Sequence, residues 1–322
     1  MKSLYAHLGD VGIKKSFARQ ALPVWWDDAI ADCASGIQQA QLYFSRAFNI
    51  EPGSLLNRNE PAHFRLVEHK FKLSRNVSED QAEVSAHYAT AMARLVLQAV
   101  RTAYTPIPEK PSELRNLVLK KNSSVNLAGL LEYCAEAGIP VLHIGDMPGR
   151  KMAGVGIRLR DRFAIVLSKK AHPAYLLFHL AHELGHIAKN HLPQDGFLAD
   201  QKIGKNSKDD AEEKEADAYA IRLLNGAEVK YTARGHIASG KQLFNAASQT
   251  ASEMHVDVGH IILNYGNAQN NFAIASMALK YVIGPTDGGA VVNQALFNKL
   301  ANDRLSEDQL HLLHNATSFT PS

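Results

Sequence analysis

Cysteine is nearly absent. Only Cys33 and Cys134 occur in 322 residues, neither has a CxxC neighbour, and both sit among small or apolar residues. This excludes a disulfide scaffold or a thiolate metal cage within one copy of the chain, and a reducing compartment is the expected home. Long apolar runs are also missing. Asp10 and Lys14 interrupt the N-terminal stretch before it reaches signal-peptide or membrane-span length, and the run AVRTAYTPIP from Ala99 is shorter still and holds an arginine. The sequence therefore reads as cytoplasmic, without a membrane partner. A strong charge of one sign is lacking too: the formal net charge is +3 with 21% charged residues, well short of the bias of a dedicated nucleic-acid surface. Apolar residues are plentiful at 46%, enough to bury a core and to exclude disorder as the general state.

The hydrophobic periodicity is mainly helical. Residues 16–58 read as three short helices broken at Pro52-Gly53, with Trp25, Trp26, Phe44 and Phe48 as their expected core. A longer helix is expected over 79–104, opened by Ser78 and closed by TPIPEKP. Then come PSELRNLVLKK and NLAGLLEYCAEAG as helices, IPVLHI as a strand reached through Gly138, and MAGVGIRL and FAIVLS as an antiparallel hairpin turning at Arg160-Asp161-Arg162. AYLLFHLAHELGHIAKNH and DDAEEKEADAYAIRLLN read as two helices, and the polar, glycine-containing segment QDGFLADQKIGKNSKDD between them reads as a loop or lid. KQLFNAASQTASEM, GHIILNYG, NNFAIASMALKYV and SEDQLHLLHNA look like supporting helices. The expected organisation is a small helical unit over 1–75, a central domain over 76–235 and a helical region over 236–322. The expected fold class is α+β, mainly helical, with a small sheet or hairpin packed on the helix that holds His182 and His186.

That helix carries the chemistry. In His182-Glu183-Leu184-Gly185-His186 the two imidazoles are four residues apart, one above the other on one helix face, at the reach a single zinc ion requires. Glu183 points from nearly the same side, where it can take a proton from a water. Gly185 costs about 1 kcal/mol of helix propensity against alanine, a cost that a close approach of another segment would explain. A catalytic zinc with three protein ligands needs one more donor, and the next helix offers Glu212, Glu213 and Glu215. Glu213 is the expected ligand because Asp217, four residues on, shares its face and can fix the tautomer of a ligating histidine. The bland alternative is a solvated helix face at 182–186 and an acidic surface run at 209–217.

The text FHLAHELGHIAKNH followed by EKEADAYAIRLL, with FAIVLS before it, resembles the ImmA/IrrE-type zinc metallopeptidases, and more broadly the zincins whose third ligand lies in a downstream ExxxD segment. The resemblance covers about 111–280. It implies a zincin-like catalytic domain, with His182, His186 and Glu213 on Zn2+ and Glu183 as general base. It also implies site-limited cleavage of a partner repressor or antitoxin that releases a stress or toxin-antitoxin programme. Where many relatives carry asparagine, this sequence has Asp217, which keeps a hydrogen-bond acceptor. YFSRAFNIEPGSLL resembles the end of a repressor-type helix-turn-helix, but Lys14, Lys15, Arg19, Arg46 and Arg58 scatter instead of forming a stripe, so DNA binding is a runner-up. A further alternative is a metal-containing regulator or toxin that works by protein contact with little hydrolysis. Candidates for an oxyanion donor are His179, His191, Tyr219, His255, His260 and Tyr265, and spacing does not choose among them.

Overall fold

The computed structural model of the protein describes residues 1–57, 60–65, 69–72, 79–169, 172–200, 211–233, 235 and 237–320. Its fold class is α+β and mainly helical. No helix among the described residues is long and apolar enough to cross a membrane.

The N-terminal part comprises α1 (Lys2–Asp10), α2 (Lys15–Gln20), a 3-10 turn at Asp28–Asp32, α3 (Ala34–Phe48), α4 (Pro52–Leu56), the strand β1 (His69–Lys72) and α5 (Glu79–Ala99). Phe44 and Phe48 are fully buried on one face of α3, as helical spacing expects, but Trp25 is 54% exposed. Trp25 and Trp26 are consecutive and cannot both turn inward; Trp25 lies against Trp26 and Tyr43 at the surface. Helix α5 stops at Ala99, before the proline-rich segment that was expected to end it. Ser78, its expected opening residue, lies outside the described residues.

The central part runs α6 (Pro111–Leu119), α7 (Leu127–Glu136), β2 (Val141–His143), β3 (Gly154–Leu159), β4 (Arg162–Leu167), α8 (Pro173–Ala188), β5 (Phe197–Asp200) and α9 (Ala211–Asn225). Asn126 caps α7 by accepting from the Gly129 N–H, and Gly138 at φ +72° ends it, with Ile139 N–H bonding back to Cys134 O. Pro140 then delivers the chain into β2. Arg160 turns the β3–β4 hairpin in the left-handed region, at φ +56°. The hairpin is the centre of a five-stranded sheet in the order β1-β5-β3-β4-β2. Strand β4 pairs in parallel with β2, β3 pairs antiparallel with β5, and β1 runs parallel to β5.

Strand β5 corrects the expectation of a loop over 194–210: Phe197–Asp200 is a strand, and 201–210 lies outside the described residues. Four residues make too short a run to show alternation, and the partners that stabilise them come from distant parts of the chain. Strand β1 escaped the sequence reading for the same reason.

Strands β2, β3 and β4 are covered on both faces, which is why they read as near-continuous apolar runs. Val155, Ile157, Ala164, Val166, Phe197 and Ala199 face one cluster with α5 and the N-terminal helices. Phe163, Ile165, Leu167 and Leu198 face a second cluster with α6, α7, α8 and α9. Leu176, Leu177, Leu180 and Leu184 of α8 are all buried there, each contributing about 1.5–3 kcal/mol by leaving water. Arg115 of α6 ties this layer together by donating to Leu223 and Leu224 carbonyls at the end of α9 and to those of Met254 and His255.

The C-terminal part is α10 (Gly240–Met254), α11 (Val258–Ala268), α12 (Phe272–Leu279), α13 (Gly288–Phe297) and α14 (Glu307–Thr317). Ser239, Asp257, Asn271, Asp287 and Ser306 each cap the helix that follows, Ser306 in a full capping box with Gln309. Helices α10 to α12 form a third cluster around Ile261, Ile262, Ala275 and Ala278, joined by Ala174 at the start of α8. Leu312, Leu313 and Ala316 of α14 pack with the N-terminal helices instead.

Candidate metal centre

Helix α8 is buried almost all round, and its polar residues His182, Glu183 and His186 are 1%, 1% and 0% exposed. Buried polar groups must find partners or a ligand. Helix α9 supplies one, because it passes α8 at very short range. An added Cβ on Gly185 would lie 3.0 Å from Ala216 Cα and O and 3.1 Å from Tyr219 Cβ, so only glycine admits α9 this closely.

The close approach brings the Glu213 carboxylate, 5% exposed, against both imidazoles. Its Oε2 is 3.4 Å from His182 Nε2 and its Oε1 3.2 Å from His186 Nε2, while the two Nε2 atoms are 3.0 Å apart. One ligand atom from each of the three residues lies within 4.8 Å of the others. A tetrahedral ion with bonds of about 2.0–2.1 Å separates its ligands by about 3.3 Å, which these edges approach. Of the other two acidic candidates on α9, Glu215 turns away to His191, and the triad does not include Glu212.

The outward nitrogens settle which ring atoms face the triad. His182 Nδ1 is 2.9 Å from Asp217 Oδ1, so it carries the proton and donates it to the carboxylate. His186 Nδ1 is 3.0 Å from His191 Nδ1, and His191 Nε2 is 3.1 Å from Glu215 Oε2. Each Nε2 is thereby left with a lone pair directed at the other and at Glu213, a donor set that suits a divalent cation. Burial pushes the His186 imidazole down to about 4, although the Glu213 carboxylate would favour the charged ring, so it is neutral at neutral pH. Two imidazoles that present Nε2 and one carboxylate make a donor set for a metal ion.

Glu183 leaves α8 toward the sheet, where β3 makes room for it. A Cβ on Gly154 would sit 2.2 Å from Glu183 Oε1, and one on Gly156 3.2 Å from Oε2. The two glycines are two residues apart and so share the strand face that looks at α8. Sequence reading missed this cradle, although the G-x-G alternation in MAGVGIRL was the signal for it.

The oxyanion candidates are dispersed. His191 and Tyr219 are engaged elsewhere, the first in the chain from His186 to Glu215 and the second donating its hydroxyl to Pro108 O at 2.8 Å. His179 is half-buried on α8, edge-on to Phe178. His255 follows α10 and faces Ser123 O, His260 is enclosed within α11, and Tyr265 packs on the third cluster. Comparison with known proteins adds no further guide: no family model, curated protein or solved structure matches the chain.

Proposed function

We propose that the chain is a zinc-dependent peptidase whose metal is held by His182, His186 and Glu213, acting on a partner protein such as a repressor or antitoxin. The observation that supports it best is the placement of Glu183. A carboxylate on the metal-facing helix is enclosed against Gly154 and Gly156, between two histidine ligands, where a Cβ on either glycine would crowd its oxygens. A purely structural HExxH helix would not need that cradle.

When bound, the divalent ion supplies Lewis acidity, lowering the pKa of a water and polarising the scissile carbonyl. His182 and His186 hold their Nε2 lone pairs toward the ion because Asp217 and His191 occupy their Nδ1 atoms. Glu213 adds the anionic ligand. Glu183 accepts the proton of the attacking water and passes it to the leaving amine. Zinc is favoured by two imidazoles and one carboxylate with the fourth position left for a water, although such a set also takes Mn, Fe or Co. The resemblance to ImmA/IrrE-type peptidases supports the choice of a protein substrate; the donor set by itself supports a metal hydrolase.

The test is co-expression with repressor-like proteins, comparing the wild type with Glu183→Gln at measured zinc content. Stoichiometric zinc in both with cleavage lost in the variant is the expected result. Bound zinc with no cleavage by either protein, against candidates that demonstrably bind, would replace the peptidase reading with a regulator acting by contact.

A further inference from the structure

The two histidine ligands are held from behind in different ways, and the difference follows from how α8 ends. The spacing in α9 places Asp217 behind His182. Behind His186 stands His191, which lies beyond the last turn of α8 and is brought back by the helix terminus itself. Asn190 is in the left-handed conformation at φ +55°. His191 N–H bonds to His186 O at 2.9 Å, and Asn190 N–H to Ile187 O at 3.1 Å. This pair of bonds is the Schellman motif, in which the residue after the left-handed one folds back over the residue five positions earlier. In most such termini that contact is apolar; here it is a hydrogen bond between two imidazoles 3.0 Å apart at their Nδ1 atoms.

We propose that His191 is a positioning residue for the metal site: it accepts the Nδ1 proton of His186, is itself oriented by Glu215, and so fixes His186 with Nε2 toward the metal. The proposal rests on the metal-site reading above. The proton order follows from geometry. His191 Nε2 faces the Glu215 carboxylate at 3.1 Å, which only accepts, so the His191 ring proton is on Nε2; His191 then accepts at Nδ1 from His186 Nδ1–H, which leaves the His186 Nε2 lone pair toward His182 and Glu213. Three residues thus adopt one tautomeric arrangement, anchored at the solvent end by a carboxylate 59% exposed.

A histidine in this place has a use that a carboxylate lacks. Glu183 and Glu213 already bring two carboxylates into a buried region, and Asp217 borders it. A fourth anion behind His186 would add like charge at low dielectric. A neutral imidazole supplies the acceptor without the charge, and Glu215 keeps its own charge at the surface.

The test uses the full-length protein, with zinc alone as the probe. Zinc affinity is measured by chelator competition for the wild type, His191→Phe, His191→Gln and Asn190→Val, with metal-free melting curves to establish that each variant is folded. His191→Phe removes the acceptor and keeps a ring of similar size, so affinity should fall about 10- to 100-fold. His191→Gln restores an acceptor oxygen and should recover part of the loss. Asn190→Val disfavours the left-handed residue, so it should lower affinity without altering any imidazole. In zinc-loaded protein labelled with 15N-histidine, a scalar coupling across the hydrogen bond between the His186 and His191 rings is expected, and its loss in His191→Phe. Tight zinc binding by the wild type with all folded variants within twofold, or no such coupling, would overturn the positioning role while leaving the metal site intact. A wild type that binds no zinc would overturn both.

Discussion

Gly185→Ala separates two opposing effects on one residue. In a helix interior the change is worth about 1 kcal/mol of stability from propensity alone. Against this, the new methyl would stand 3.0 Å from the Ala216 backbone and 3.1 Å from Tyr219 Cβ, inside ordinary van der Waals contact, which begins at 3.4 Å. Two of those three neighbours are backbone atoms of α9, so the helix must retreat by a few tenths of an ångström. Overpacking of this kind typically costs about 1–3 kcal/mol, so the variant should be no more stable than the wild type and up to about 2 kcal/mol less. The retreat carries Glu213 with it, because that residue lies one turn earlier on the same helix. Metal sites tolerate ligand displacements of only about 0.2 Å, so zinc affinity should fall by more than tenfold. Metal-free denaturation and chelator competition on the same samples measure the two effects separately. A variant about 1 kcal/mol more stable, with unchanged zinc affinity, would refute the claim that this contact sets the site.

Two other perturbations address neighbouring features. Gly154→Ala would place a methyl 2.2 Å from Glu183 Oε1 and displace the carboxylate, so hydrolysis should fall at least tenfold while zinc stoichiometry stays at the wild-type value; loss of both together would argue against a separate role for the cradle. His260 is enclosed in α11, and burial, with a smaller contribution from Arg115, pushes its imidazole down to about 4. The unfolded chain binds that proton near pH 6.5, so this contribution to stability is full above 6.5 and is lost as pH falls toward 4, at up to about 1.4 kcal/mol per pH unit. His260→Leu should therefore shrink the stability difference between pH 7.5 and pH 5 in metal-free protein, as read by urea denaturation; an unchanged difference would contradict the assignment.

The helical part of the fold was legible because its periods are long and its caps explicit. Helices α6, α7, α8 and α9 and the β3–β4 hairpin lie where their patterns placed them, and the class is α+β. What escaped were features set by distant partners. Strands β1 and β5 are four residues each and gain their pairing from one another and from β3. Trp25 was expected inside because tryptophan usually is, yet its neighbour Trp26 takes the inward direction. At the site, helical spacing alone brought His182, His186, Glu213 and Asp217 to consistent faces. His191 appeared in the sequence only as one of several unassigned histidines, since its position depends on a left-handed Asn190 that periodicity does not reveal. The cradle for Glu183 depends on strand register against α8, which is equally hidden from spacing.

The most direct test of the central claim is metal content after chelator stripping and reconstitution with zinc, comparing the wild type with Glu213→Gln and with Glu212→Gln as the neighbouring acidic control. One ion per wild-type chain, nearly the same in Glu212→Gln and lost at matched zinc concentration in folded Glu213→Gln, is the result expected from a centre made of His182, His186 and Glu213. Unchanged zinc in Glu213→Gln, or none in the wild type, would contradict it.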